Sequence, residues 1–383
     1  MKEELFIITA SKLDLSENDI SLLQQLSKDI SDWQLLLEHS GTHAVAPLMY
    51  QTLKKYSLTD LVPSDVLDRL KATFYATVSS NLKYLQLIEK IAALTDEKIV
   101  LLKGIDLVES LYKNLGARSM FDIDVLVEKK SLNAIASKLL SGKEMGNVFE
   151  HSFSNKSAVH EQVKLQKTKH IPPIFFPHGR VELHWNLFEG EDYYDITEKA
   201  WTSMVPYKQS RNLCRLSNEV MLLHLCTHFY DHAHDCLLLR MLCDINELIT
   251  QYRECLKWDE IRSLCNCIAL RNEVNTALTY SMIFFATHIP EDFIVHDMLR
   301  NTPKSLTQLL SGIPDLQLSK RQKIISDLRM LPRLKDKITY TYRIFVPEKE
   351  WISQYYHHSS RTNLFQPYFN YWKKRVMGLI TKG

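Results

Sequence analysis

The sequence predicts an α+β fold: a small mixed sheet with its own helices, embedded between N-terminal and C-terminal helical modules. Three observations point to it. Glycine (10) and proline (12) are scarce among 383 residues, so loops should be few and helices many. Apolar residues recur at helical spacing over residues 16–95 and again from Ser217 onward. Between those stretches the pattern shortens to compact, β-branched apolar runs.

Taken in order, Ser16 followed by Asp19 reads as an N-cap with an acidic first turn, ahead of Ile20, Leu22, Leu23 and Leu26. A second helix begins near Trp33 and Leu35–Leu37, and a third carries Leu48, Met49 and Leu53. A long helical pattern runs from Leu67 to Leu94, with Leu82, Tyr84, Leu85, Leu87, Ile88 and Ile91. Lys98–Lys103 then reads as a buried strand ending at Gly104, with a helix from Ile105 to Tyr112 behind it. Phe121–Val127 is a second strand, residues 131–140 a helix, and residues 147–188 hold further strand-like pieces, including Arg180–Trp185. Ser217 or Asn218 caps a helix reaching about Tyr230; Leu237–Tyr252 forms another, and residues 256–312 read as helical. No fixed-period repeat or low-complexity linker is visible. The expected organisation is a helical module over 1–95, an α/β catalytic domain over 96–212, a helical domain over 213–317 and a basic, aromatic-rich helical tail over 318–383.

Composition is that of an ordinary globular chain, 45% apolar and 24% charged. The net charge of +2 hides an asymmetry, because Leu318–Gly383 carries fourteen Lys/Arg against four Asp/Glu. Such an end can meet an anionic partner, nucleic acid included, or form a solvated helical face; the second is favoured. Trp351, Tyr355, Tyr356, Phe365, Tyr368, Phe369, Tyr371 and Trp372 among Lys373, Lys374 and Arg375 suit base stacking, a membrane surface or an amphipathic helix on the catalytic domain, the last being favoured. All seven cysteines fall between Cys214 and Cys267, and an odd count argues against a disulfide framework. The opening residues lack a secretory pattern and no apolar run reaches membrane-spanning length, so a cytoplasmic protein with reduced thiols is expected.

The chemistry concentrates on carboxylates. Residues two apart in a strand share a face, about 6–7 Å apart. Asp122 and Asp124 thus stand together, while Phe121, Ile123 and Val125 are expected to face packing. Two carboxylates that close repel one another when ionised, and a divalent cation removes that penalty. Oxygen ligands of this kind suit magnesium or manganese. A bare Asp-x-Asp is weak evidence, but this one interrupts an apolar strand, where a charge is expensive unless it has a task. A later strand adds Glu182 between Val181 and Leu183, giving the three carboxylates that a two-metal phosphoryl or nucleotidyl transfer needs.

Leu102-Lys103-Gly104-Ile105-Asp106-Leu107, Leu111-Tyr112, Arg118 and Asp122–Val127 together resemble the signature of an uncharacterised nucleotidyltransferase family of bacterial biosynthetic clusters, within the DNA polymerase beta-like superfamily. The resemblance extends to Asp32-Trp33, His43–Leu48, His170–Pro173, Val181–Trp185, Leu225–His228, His232 and Asp244, covering most of residues 30–250. It implies that Asp122 and Asp124 hold Mg2+ or Mn2+ and that Glu182 is the third carboxylate and a candidate general base. It also implies an NTP substrate. The wider superfamily opens the helix before the metal strand with Gly-Ser; this chain has Lys103-Gly104 with Ile105 in the serine position. Gly104 still lets backbone approach a phosphate, and the Lys103 ammonium can replace the lost hydroxyl. Arg118 offers forked donors to a triphosphate, or is a surface arginine. Asp106 is the alternative partner for Lys103.

His224, His228 and His232 recur every four residues and would stack along one helix face. Three readings stay open: a zinc site with nearby cysteines, a cleft wall in which His228 and His232 face the nucleotide or acceptor, and histidines satisfied in the core. His184, sharing a strand face with Glu182, is placed to touch the metal site, and His170 sits on a loop over the cleft. No nucleophilic triad, P-loop or dinucleotide fingerprint is present. The expected function is transfer of a nucleoside monophosphate from an NTP to a hydroxyl or phosphate acceptor on a small molecule, sugar or peptide. The alternatives are a catalytically degenerate module that binds a nucleotide or partner, and an RNA-modifying nucleotidyltransferase.

Overall fold

A computed structural model describes residues 2–141, 169–171, 173–176, 179–188, 194–208, 210–233, 236–267, 270–301 and 305–310, with 338, 368–369 and 372–373 beyond them. By internal contacts the chain divides into residues 1–314 and 315–383. The tail expected over 318–383 therefore lies almost wholly outside the described residues, as does the start of the stretch expected to hold strands over 147–188. In the second unit, the Tyr368 and Trp372 rings lie 5.9 Å apart.

The chain opens with helices α1 (Lys2–Ala10), α2 (Glu17–Asp29), α3 (Trp33–Thr42), α4 (Ala46–Lys55) and α5 (Ser64–Ala93). Each start has a local cause. Ser16 and Asp19 form a reciprocal capping box on α2. Asp32 accepts from the Leu35 amide at the head of α3, and Pro47 occupies the first turn of α4, where its missing N–H costs nothing. Along α5 the buried positions Leu70, Phe74, Thr77, Asn81, Tyr84, Ile88 and Ile91 advance by three or four residues, giving one continuous inner stripe. Gly116 admits the Phe74 ring of that stripe; a Cβ there would lie 2.4 Å from it.

The α/β part follows as β1 (Ile99–Leu102), α6 (Gly104–Ser110), β2 (Ile123–Val127), α7 (Leu132–Ser141), β3 (Ile174–Phe176) and β4 (Gly179–His184). Helix α8 (Tyr194–Ser203) and the short strands β5 (Val205–Pro206) and β6 (Leu213–Arg215) complete it. The six strands run in the order β3-β4-β2-β1-β6-β5, with β1/β6 and β2/β4 parallel and the other pairs antiparallel. The fold is α+β with a mixed sheet between helical regions. Period-2 alternation sorts its two faces. Ile99, Leu101, Ile123, Val125, Val181 and Leu183 pack with Tyr84, Ile88 and Ile91 of α5 and with Leu132, Ile135 and Leu139 of α7. Asp124, Glu182 and His184 alternate with those residues and so take the opposite face.

Two expectations need correction here. The second strand begins at Ile123, not Phe121, so Asp122 stands just before it. Phe121 does not join the packing of Ile123 and Val125 but is 56% exposed, because the chain is not yet locked into the ladder at that point. The pairing of β6 beside β1 is a further strand contact that the sequence pattern did not reveal.

Helices then return as α9 (Asn218–Asp231), α10 (Leu239–Gln251), α11 (Trp258–Cys267), α12 (Arg271–Phe285), α13 (His296–Asn301) and α14 (Leu306–Leu310). Ser217 caps α9 by accepting from the Val220 amide. Among the described residues no helix is long and apolar enough to cross a membrane.

Candidate active site

Parallel pairing of β2 with β4 sets Asp124 opposite Glu182, with His184 two residues further along the same face. Donor atoms of Asp124, Glu182 and His184 all lie within 4.8 Å of one another. Asp124 is buried, and two cationic or donor groups converge on its Oδ1: Lys103 Nζ at 3.3 Å and His184 Nε2 at 2.9 Å. Burial alone would raise the Asp124 carboxyl, but the Lys103 charge and the His184 hydrogen bond outweigh it and hold the group well below the usual carboxylate range. Glu182 goes the other way, pushed up by burial and by the neighbouring Asp124 and Asp122 charges. Burial carries His184 down to about 4, so it is a neutral imidazole that donates through Nε2. Its Nδ1 is buried without a partner.

Asp122 lies in the same neighbourhood but is held differently. Arg180 donates to its Oδ2 through Nη2 at 2.7 Å and Nε at 3.3 Å, and the same Nε lies 3.9 Å from Glu182. Arg180 escaped the sequence reading; the available signal was its position two residues before Glu182, on the same strand face. Like-charge crowding among Asp122, Asp124 and Glu182 is what a divalent cation relieves, so these residues fit one. The compact donor group pairs two carboxylates, the oxygen ligands that Mg2+ and Mn2+ take, with an imidazole that Mg2+ disfavours, so the carboxylates carry the fit.

Lys103 sits at the turn from β1 into α6 with φ 46° and ψ −122°, a conformation costly for a residue with a side chain. That strained turn aims its ammonium at Asp124, not at Asp106. Asp106 instead lies 3.4 Å from the Arg215 Nε, and burial pushes its carboxyl up to about 6. Gly104 follows, and a Cβ there would lie 2.5 Å from Arg118 Nη1. Its open side is therefore filled by the Arg118 guanidinium.

Arg118, expected at a triphosphate or on the surface, is buried in a different task. It donates to Asp244 of α10 through Nε at 2.7 Å and Nη2 at 2.6 Å, while Tyr112 O–H reaches the same carboxylate at 2.8 Å. This clamp fixes the loop that leads into Asp122 and Asp124 against α10.

The histidines divide by position. His170 pairs through its backbone with His184, their rings are 4.8 Å apart, and its Nε2 lies 3.8 Å from Glu182. On α9, His224 is buried with neither ring nitrogen bonded, and its ring meets Phe188 edge-on. His228 is half-buried one turn later. Burial and then the Lys103 charge lower both imidazoles well below the usual histidine value, and both feel Asp124. The helix ends at Asp231, so His232 is its exposed C-cap, with its ring 4.7 Å from that of His228. Of the groups of three or more histidine, cysteine or acidic side chains that could hold a metal, the one found among the described residues is that of Asp124, and it contains no cysteine.

No curated protein and no solved structure matches the chain. A family model described as an uncharacterised nucleotidyltransferase matches residues 29–286, a span that contains β1, the strained Lys103-Gly104 turn, the three carboxylates and the histidine-bearing helix α9. With two thirds of its length so matched, the chain belongs to this uncharacterised nucleotidyltransferase family.

Proposed function

We propose that the chain is a polymerase beta-like, metal-dependent nucleotidyltransferase that moves a nucleoside monophosphate from an NTP, ATP among them, to a hydroxyl or phosphate acceptor. A small molecule, sugar or peptide of a biosynthetic pathway is the acceptor class we favour over RNA. One observation carries the reading: Asp124 and Glu182 are register partners on adjacent parallel strands, with Asp122 at the strand entrance. Mg2+ or Mn2+ would be held by Asp124 and Glu182, completed by Asp122, and when bound supplies positive charge to the α-phosphate and the acceptor oxygen.

The chain's own residues do the rest. The acceptor oxygen attacks the α-phosphorus, the bond to the bridging oxygen breaks, and pyrophosphate leaves. Glu182, whose affinity for a proton is raised, receives the acceptor's proton. His184 steadies Asp124 through its Nε2–H. Lys103 meets the triphosphate beside Gly104, while Arg118 acts at a distance by holding that turn in place. His170 at Glu182, and His228 with His232 on α9, form the facing wall. The buried thiols of Cys226 and Cys243 serve as small apolar core residues, which suits a reducing cytoplasm.

A second reading has its own support. Asp124 already has Lys103 and His184, and Asp122 already has Arg180, as in a degenerate module that binds a nucleotide without transferring it. Incubation with labelled NTPs, Mg2+ or Mn2+ and a cell extract separates the two. Label moving with wild-type protein but not with Asp122→Ala/Asp124→Ala supports the enzyme. Bound nucleotide with no transfer by either supports the module.

A further inference from the structure

We propose that Phe121 is the platform on which the base of the bound nucleotide stacks; the inference rests on the nucleotidyltransferase reading above. Single exposed aromatics are ordinary on protein surfaces. Phe121 differs in three respects. Strand alternation would bury it with Ile123 and Val125, both completely buried, yet it stands 56% exposed. It directly precedes Asp122, at the entrance to the strand that carries the acidic cluster. And the Arg240 guanidinium of α10 lies 5.1 Å from its ring centroid, covering part of the ring while more than half of the side chain meets solvent.

The backing arginine is itself fixed. Arg240 donates through Nη1 to the Ser119 carbonyl at 2.9 Å, two residues before Phe121, and its Nε is buried without a partner. A cation held against an aromatic ring is a stable arrangement when partly desolvated. It keeps the ring in one orientation, so a planar ligand meets a preformed surface. Flat heteroaromatic bases stack on such rings with little dependence on base identity. In a nucleotide whose α-phosphate lies at the carboxylates, the ribose sets the base one sugar away from that centre, a reach that a ring on the residue next to Asp122 can meet. The assignment thus predicts binding that depends on a base but discriminates weakly among bases.

The test uses the full chain, with 2-aminopurine riboside triphosphate as a fluorescent probe, ATP, and inorganic tripolyphosphate as a ligand without a base. Wild-type protein should quench the probe. Phe121→Ala should lose the quenching and bind ATP about tenfold more weakly, with Phe121→Tyr restoring both. Tripolyphosphate should compete equally well in all three proteins, and because Phe121 is exposed the alanine variant should keep its melting temperature. Unchanged ATP binding and quenching in Phe121→Ala would overturn the inference and leave nucleotidyl transfer standing. Normal nucleotide binding by Phe121→Ala with slower transfer of label from saturating ATP to a cell extract would also overturn it, giving the ring to the acceptor. A wild-type protein that binds no nucleotide would remove both.

Discussion

Two buried clusters of opposite charges lie close together in this molecule and are built differently. Around Asp244 the carboxylate itself is fully engaged: Arg118 grips it with two guanidinium nitrogens at 2.6 and 2.7 Å, and Tyr112 adds a third bond. Around Asp124, Lys103 stands off at 3.3 Å from a strained backbone, His184 Nδ1 is unpartnered, and His224 bonds through neither nitrogen. Buried polar groups are normally satisfied, so unsatisfied ones mark strain or a task. The first cluster is a lock between the segment that joins α6 to β2 and α10. The second keeps unpaired imidazole nitrogens beside its carboxylates, the arrangement that the proposed function draws on.

The largest effect expected from breaking this contrast is on chemistry. Asp124→Asn should cut nucleotidyl transfer by about a thousandfold, while moving the melting temperature less than a break in the Asp244 lock does. Parallel activity and melting measurements check it. Next in size is that break itself. Arg118→Met leaves the Asp244 carboxylate buried without its counter-charge and should cost about 3–5 kcal/mol of stability in urea unfolding. Replacing both partners with apolar residues should recover part of that loss.

A third buried carboxylate, Glu247, sits one turn from Asp244 on the same helix. Burial outweighs its hydrogen bonds from the Leu13 amide and the Asn246 side chain and raises it from 4.5 to about 7. An acid raised on folding contributes stability that is fully present below its unfolded value and is lost as pH rises through the folded one. Stability should therefore fall between about pH 4.5 and 7, by up to ~3 kcal/mol, relative to Glu247→Gln. Unfolding of both proteins across that window reads the difference. The smallest effect belongs to the surface pairing of Asp292 with Arg262 and Arg271, whose hydrogen bonds lower the carboxyl to about 2. Asp292→Asn should shift the melting temperature only slightly, and high salt should remove the difference.

Much of the frame was legible in local pattern. The Ser16–Asp19 capping signal, the apolar run before Gly104 and the strand bearing Asp124 follow from spacing alone, because helices and strands impose their periods on neighbouring residues. Glu182 could be grouped with the aspartates because it stands between Val181 and Leu183 in a second short apolar strand, and the family resemblance then implied its role as third carboxylate. What stayed hidden depends on partners distant in sequence. Arg118 reads equally well as a triphosphate ligand until Asp244, 126 residues later, is seen to take its fork. Lys103 chooses Asp124 over the adjacent Asp106 because its left-handed backbone turns the side chain away. Phe121 breaks the alternation that predicted its burial, because strand pairing begins two residues after it.

Nucleotidyl transfer is defined by which phosphorus is attacked. NTP labelled at the α-phosphate and NTP labelled at the γ-phosphate should be supplied in parallel reactions with the wild-type chain, divalent cation and acceptor extract. The α-label should appear in the acceptor while the γ-label leaves as pyrophosphate, and Asp124→Asn should do neither. Transfer of the γ-label to the acceptor, or α-label transfer that survives Asp124→Asn, would contradict it.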